Sequence, residues 1–252
     1  MSTRCVLEIC VESVDHAVAA ARGGADRLEL CSELSSGGIT PSAGLMQTTR
    51  RHVGIPIHIL IRPRPGDFCY TEYELEMMRD DILAAKQIGM NGLVLGVLHD
   101  NQRIDVERAR MLVEAARPLP VTFHRAFDLS KNPVAALEEV VQTGASRILT
   151  SGGKKQATDA LSTLKRLAHA AKDRIVIMPC GGIGSANIMR IVRATSVREI
   201  HTSVGVSRLR STGNGTRRSP ANGSGPAGFR SELFEKKVGD LVRKLNAVAQ
   251  GG

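Results

Sequence analysis

Short apolar runs rich in β-branched residues alternate along the chain with longer amphipathic stretches. The short runs predict eight strands: Cys5–Val11, Arg27–Cys31, Ile57–Ile61, Gly92–Val97, Val121–Phe123, Arg147–Thr150, Ile175–Met178 and Glu199–Thr202. Helical patterns lie between them. Val14–Arg22 ends at Gly23-Gly24, and Glu72–Gln87 is stopped by Gly89. Pro133–Gln142 carries its proline in the first turn, where a missing N–H costs nothing, and stops at Gly144. Strands alternating with helices in this way predict βα units and a parallel sheet.

Three segments share one local grammar: Gly24-Ala-Asp-Arg-Leu-Glu-Leu, Gly89-Met-Asn-Gly-Leu-Val-Leu and Gly144-Ala-Ser-Arg-Ile-Leu-Thr. Each reads helix stop, small turn, strand, and the intervals of 65 and 55 residues fit two units apiece. Eight units in 252 residues average about 31, the size of a βαβ building block. An open doubly wound sheet is the competitor, but it carries a glycine-rich loop after its first strand. Here that position reads Glu12-Ser13-Val14-Asp15. The expectation is one α/β domain over residues 1–252, a closed (β/α)8 barrel of the TIM type. Residues 207–229 break the pattern, being rich in Gly, Ser, Pro and Arg, and predict a mobile loop before a C-terminal helix at Ser231–Val248. A lid and a merely solvated insertion are both open readings of it.

Composition narrows the function. No apolar run reaches the roughly 18 residues of a membrane span, and MSTRCVLEIC lacks the pattern of a secretory signal. A cytosolic chain is expected, with a nuclear presence left open and no membrane partner. The five cysteines (5, 10, 31, 69, 180) are odd in number and none forms a C-x-x-C, which suits reduced thiols rather than disulfides or a zinc finger. The net charge of +9 owes five units to Arg208, Arg210, Arg217, Arg218 and Arg230, leaving +4 elsewhere. With 3% aromatics and no Trp, nucleic acid is disfavoured as a partner.

In such barrels the chemistry lies at the C-terminal ends of the strands. Glu8, Glu29, Arg62, His124 and His201 fall there and form a polar cluster suited to a small anionic or polyhydroxylated ligand. A buried salt-bridge network is the competing reading. Gly181, Gly182 and Asn187 follow the seventh strand and resemble a phosphate-binding turn, although any tight βα turn also favours glycine. No Lys lies in a predicted strand and no nucleophile elbow of the form G-x-S-x-G appears at a strand–helix turn. Acid–base or metal-assisted chemistry through Glu8, Glu29, His124 and His201 remains. Cys10 and Cys31 lie near the ends of neighbouring strands, about 4.8 Å apart, where two thiolates could hold a soft Cu(I) ion. Cys180 and Met178 are candidates for a third sulfur. Free cysteines packed as small hydrophobes are the plainer alternative.

The runs Glu8-Ile-Cys-Val-Glu12, Gly23-Gly-Ala-Asp-Arg-Leu-Glu-Leu-Cys31, Gly37-Gly-Ile-Thr-Pro-Ser42, Ile61-Arg-Pro-Arg-Pro-Gly-Asp-Phe68, Thr122-Phe-His-Arg-Ala-Phe-Asp128, Leu149-Thr-Ser-Gly-Gly153 and Glu199-Ile-His-Thr-Ser203 resemble motifs of the CutC family, in order, over residues 4–206. The resemblance implies a (β/α)8 barrel, a cytosolic setting, self-association, a role in copper homeostasis and copper ion binding, with Cys10 and Cys31 as the ligands. Cys180 ahead of the glycine run departs from the family pattern. The carboxylate, His and Arg content of the strand ends fits an enzyme acting on a small anionic or phosphorylated metabolite equally well, and both functions are carried forward.

Overall fold

The computed structural model describes residues 4–204 and 226–250, with the side chains of 231–247 in the last helix. Parallel strands alternate with helices: β1 (Val6–Val11), α1 (Val14–Arg22), β2 (Arg27–Leu30), α2 (Ala43–His52), β3 (Ile57–Leu60), α3 (Glu72–Ile88), β4 (Gly92–Leu95), α4 (Val106–Ala116), β5 (Val121–Phe123), α5 (Pro133–Thr143), β6 (Arg147–Thr150), α6 (Leu161–Ala171), β7 (Val176–Pro179), α7 (Ile188–Thr195), β8 (Glu199–Thr202) and α8 (Pro226–Gln250). The hydrogen-bonded order is β7-β6-β5-β4-β3-β2-β1-β8. Every ladder is parallel. The end strands β7 and β8 pack side by side and bring the sheet round to a nearly closed barrel. All eight predicted strands are present; β1 to β4 are a residue or two shorter than expected, β7 is shifted by one residue, and β5, β6 and β8 match.

The repeated grammar has a structural cause. Gly24, Gly89 and Gly144 adopt φ of 89°, 85° and 82°, a left-handed backbone that a Cβ disfavours, so each ends a helix and turns the chain into the next strand. Helix starts are equally local. Ser13 caps α1, Thr71 and Glu74 form a capping box on α3, and Asn132 caps α5 ahead of Pro133. The last helix differs from expectation. It begins at Pro226, so residues 226–229, expected in the loop, form its first turn, and the rest of the expected mobile loop, 207–225, lies outside the described residues.

Two layers of opposite chemistry follow from strand alternation. Leu7, Ile9 and Val11 of β1 are buried in the apolar layer beneath the helices. Phe234, Val238, Leu241 and Leu245, spaced as one helical face, seat α8 in the same layer. The approach of α8 to α1 is so close that a Cβ on Gly23 would stand 2.7 Å from the Glu235 carbonyl oxygen. The opposite face of the strands points into the barrel. Barrel interiors of this kind are usually packed with Val, Ile and Leu. This one carries charge.

Candidate functional site

The parallel register decides which inward side chains meet. Glu8 stands opposite Arg27 on one side and His201 on the other, Cys10 opposite Glu29, and Glu29 opposite His58. At the lower end Arg27 donates to Glu8 and, at 2.5 Å, to Glu199. Arg147 donates to the same Glu199 oxygen at 2.8 Å, and Arg27 also reaches the Met178 sulfur at 3.3 Å. The His58 ring lies 3.9 Å from Glu8 and over Gly92, where a Cβ would come within 2.4 Å of it. This is a buried ion network. Two cations against Glu8 and Glu199 offset the desolvation that either charge alone would suffer.

Above it lies a second layer. His201 Nδ1 is 2.8 Å from Glu8 and 4.0 Å from Glu29. Cys10 Sγ is 3.5 Å from Glu29 Oε1 and 3.6 Å from Cys31 Sγ. Both cysteines are essentially inaccessible, at 2% and 0% exposure. Glu29 Oε2 is buried without a hydrogen-bond partner among the described residues. Cys10, Glu29 and His201 hold their ligand atoms within 4.8 Å of one another, so Cys10 belongs both to a sulfur pair and to a sulfur–carboxylate–imidazole triad.

The electrostatics separate the two carboxylates. Burial pushes Glu8 up, but the His201 hydrogen bond and the Arg27 charge outweigh it and hold Glu8 below the ordinary range. Burial also pushes Glu29 up; His201 opposes and the Glu8 charge adds, and Glu29 stays raised. Burial lowers His201, yet Glu29 and Glu8 more than compensate and raise it. The Cys10 thiol lies well above its usual value, first through its hydrogen bond with Cys31 and then through burial.

A cavity of about 1020 Å³ opens above this layer, with Cys10, Glu29 and His201 on its floor. His124 forms part of its wall. The His124 Nδ1 accepts from the Ala126 N–H at 3.2 Å, which places the proton on Nε2, and that buried nitrogen has no partner among the described residues. Burial and the Arg62 charge push His124 down to about 3, so the ring is neutral at physiological pH. Phe68 packs against it with ring centroids 4.7 Å apart.

A family model described as the CutC family matches residues 5–206. The chain belongs to the CutC family. A human protein named copper homeostasis protein cutC homolog is 45% identical over 97% of this chain and 89% of its own length. A CutC family protein from Vibrio campbellii is 47% identical over 78% of this chain and 81% of its own length. The crystal structure of a CutC protein from Streptococcus agalactiae superposes with a TM-score of 0.75 at 33% identity, over 79% of this chain and 98% of that one. A thiamine phosphate pyrophosphorylase from Pyrococcus furiosus superposes with a TM-score of 0.59 at 17% identity, a likeness of fold alone.

In this CutC-family chain, the cluster expected at the strand ends is brought together in part. Glu8, Glu29 and His201 meet, and Cys10 and Cys31 join them. Arg62 does not act as a free clamp: its guanidinium donates to the carbonyls of Ser36, Gly38 and Gly66 and lies over the Phe68 ring. Of the two further sulfurs, Cys180 lines the same cavity as Cys10 and Met178 reaches Arg27. Met178 and Cys180 pack with Leu149. Gly181 and Gly182 have φ of 89° and 66°. Asn187 closes this turn on itself, accepting from the Gly184 N–H and donating to the Gly182 carbonyl. Arg27 and Arg147, central to the network, were not singled out by the strand-end reading. Their signal was present: both follow the helix-stop glycine by three positions in the repeated grammar, at the first residue of β2 and β6. Asp128, just beyond β5, is in view among the polar residues at the strand ends. It holds the end of β6 through Thr150 and Ser151, with the Ser151 hydroxyl at 2.8 Å.

Proposed function

We propose that the chain is a cytosolic copper-homeostasis protein that holds Cu(I) as cargo on Cys10 and Cys31, with Glu29 and His201 beside the ion. The observation that carries this reading is the sulfur pair at 3.6 Å, set against an orphaned carboxylate oxygen. Cu(I) is a soft ion that favours sulfur, and the donor set suits it. At metal–sulfur distances near 2.3 Å a linear arrangement needs sulfurs about 4.6 Å apart. The shorter separation favours an ion left open on one side, toward Glu29 and His201. Glu8, by accepting from His201, orients that ring as metal-site carboxylates orient histidines elsewhere. The name shared by the human relative supports copper homeostasis, and five free cysteines suit a reducing compartment. Among the described residues no helix is long and apolar enough to cross a membrane. Self-association belongs to the same proposal, supported by the exposed apolar side chains of Tyr73, Met77 and Met111 on α3 and α4.

The acid–base reading gains less support. Arg62 is committed to backbone carbonyls and Glu8 to the ion network. The deciding experiment is an anaerobic Cu(I) competition titration against a colorimetric chelator, on the wild type and on Cys10→Ser/Cys31→Ser. Tight one-to-one binding that disappears in the double variant is expected. Weak binding, or binding untouched by the substitutions, refutes a thiolate copper site.

A further inference from the structure

The cavity above the sulfur pair is far larger than an ion requires. One water occupies roughly 30 Å³ of liquid, whereas the space here is about 1020 Å³. Pockets for small molecules run to roughly 300–1,000 Å³. Its wall is also cationic. Arg62, Arg125, Lys155 and Lys237 line it against the acidic Glu29 and Asp240, and Glu29 is shifted toward its neutral form.

The cations divide into committed and uncommitted groups. Arg62 is held by backbone carbonyls, and Arg125 pairs with Asp128 at 3.0 Å and reaches Ser151 at 2.9 Å. Lys155, in the segment after β6, and Lys237, on α8, have no hydrogen-bond or ion-pair partner among the described residues. Deeper in the same cavity, His124 is 95% buried and carries an N–H on Nε2 that nothing accepts. A buried donor without an acceptor is costly, and a ligand oxygen would remove that cost. Asp240, also on the wall, sets a limit: it disfavours a second anionic group at its own position.

We infer that this cavity is a binding site for a small anionic metabolite, bearing a carboxylate or phosphate that lies toward Lys155 and Lys237 and an oxygen that accepts from His124 Nε2. The inference goes beyond the copper reading and does not depend on it, because none of the three residues is a sulfur ligand.

The test is isothermal titration of the reduced, metal-free protein with citrate, malate, inorganic phosphate, glycerol 3-phosphate and ribose 5-phosphate, and with uncharged glycerol and ribose. At least one anion is expected to bind with a Kd below about 1 mM, and the uncharged compounds to fail. Lys155→Ala/Lys237→Ala is expected to weaken that anion at least tenfold. Both positions are solvent-accessible, so the fold tolerates the change. Lys165→Ala, an exposed lysine on α6, removes charge elsewhere and should leave binding intact. Preference for the carboxylates or for the phosphates identifies the chemical source. The inference is overturned if no anion binds below 1 mM, if ribose or glycerol binds as well, or if the double lysine variant binds like the wild type. Repeating the titration on Cys10→Ser/Cys31→Ser separates the two claims. Retained anion binding with lost Cu(I) binding is expected, and failure of the copper titration alone leaves the anion site standing.

Discussion

Replacing Arg27 by methionine isolates the contribution of the ion network to the fold. Arg27 is 6% exposed and neutralises two buried carboxylates, Glu8 and Glu199. Methionine keeps an unbranched apolar stem and removes the charge. Glu199 retains Arg147 at 2.8 Å, so its loss is partial. Glu8, fully buried, retains only its histidine neighbours, His201 at 2.8 Å and His58 at 3.9 Å. Breaking a buried pair by removing one partner costs about 3–5 kcal/mol, which in a chain of this size lowers Tm by roughly 6–20 °C. Removal of Arg4, whose pair with Asp26 is more than a quarter exposed at each end, should cost under about 1 kcal/mol. The effect of Arg27→Met is also pH-dependent. A carboxylate held low in the folded state contributes stability that is present above its unfolded pKa and lost as pH falls through the folded one. Arg27 is one cause of that lowering, so the gap between wild type and Arg27→Met is expected to be widest at neutral pH and to narrow below about pH 4. Urea unfolding at pH 7 and at about pH 3 reads both numbers. A loss below about 1 kcal/mol at pH 7 would refute the view that the barrel interior depends on this charge pairing.

Other consequences are sharper in one dimension each. Gly92→Ala drives a Cβ to within 2.4 Å of the His58 ring and is expected to destabilise the protein by at least about 1–3 kcal/mol, read by the urea midpoint. His58 and His124 are held at about 4 and about 3 by burial, below an unfolded value near 6.5. The unfolded chain therefore binds more protons and stability falls as pH drops from 6.5; His124→Phe should flatten the slope between pH 6 and 4 by about 1.4 kcal/mol per pH unit. Cys10 must lose a proton to bind metal from a raised starting point, so apparent Cu(I) affinity should rise with pH between 6 and 8 in chelator competition. Thr71→Ala removes half of the α3 capping box and should lower stability by about 1 kcal/mol without touching Cu(I) binding.

The sequence by itself determined the βα repeat, the eight strands and the glycine stops, because each rests on contacts within a few residues: a cap, a left-handed turn, an alternation of faces. It also placed Glu8, Glu29, His201, Cys10 and Cys31 at one end of the barrel, since strand parity and chain position suffice for that. It did not determine who pairs with whom. Arg27 and Arg147 read as ordinary polar starts to their strands, and only the register across β8, β1 and β2 turns Arg27 onto Glu8 and Glu199. Arg62 read as part of a polar cluster suited to an anionic ligand, whereas the loops carrying Ser36, Gly38 and Gly66 supply its acceptors. Lys155 and Lys237 come from segments 82 positions apart, and only α8 folding back over the barrel puts both on one cavity wall. Local sequence sets backbone conformation and which face a side chain takes, whereas the partner of a long charged side chain is chosen by packing between segments distant in the chain, which no local pattern encodes.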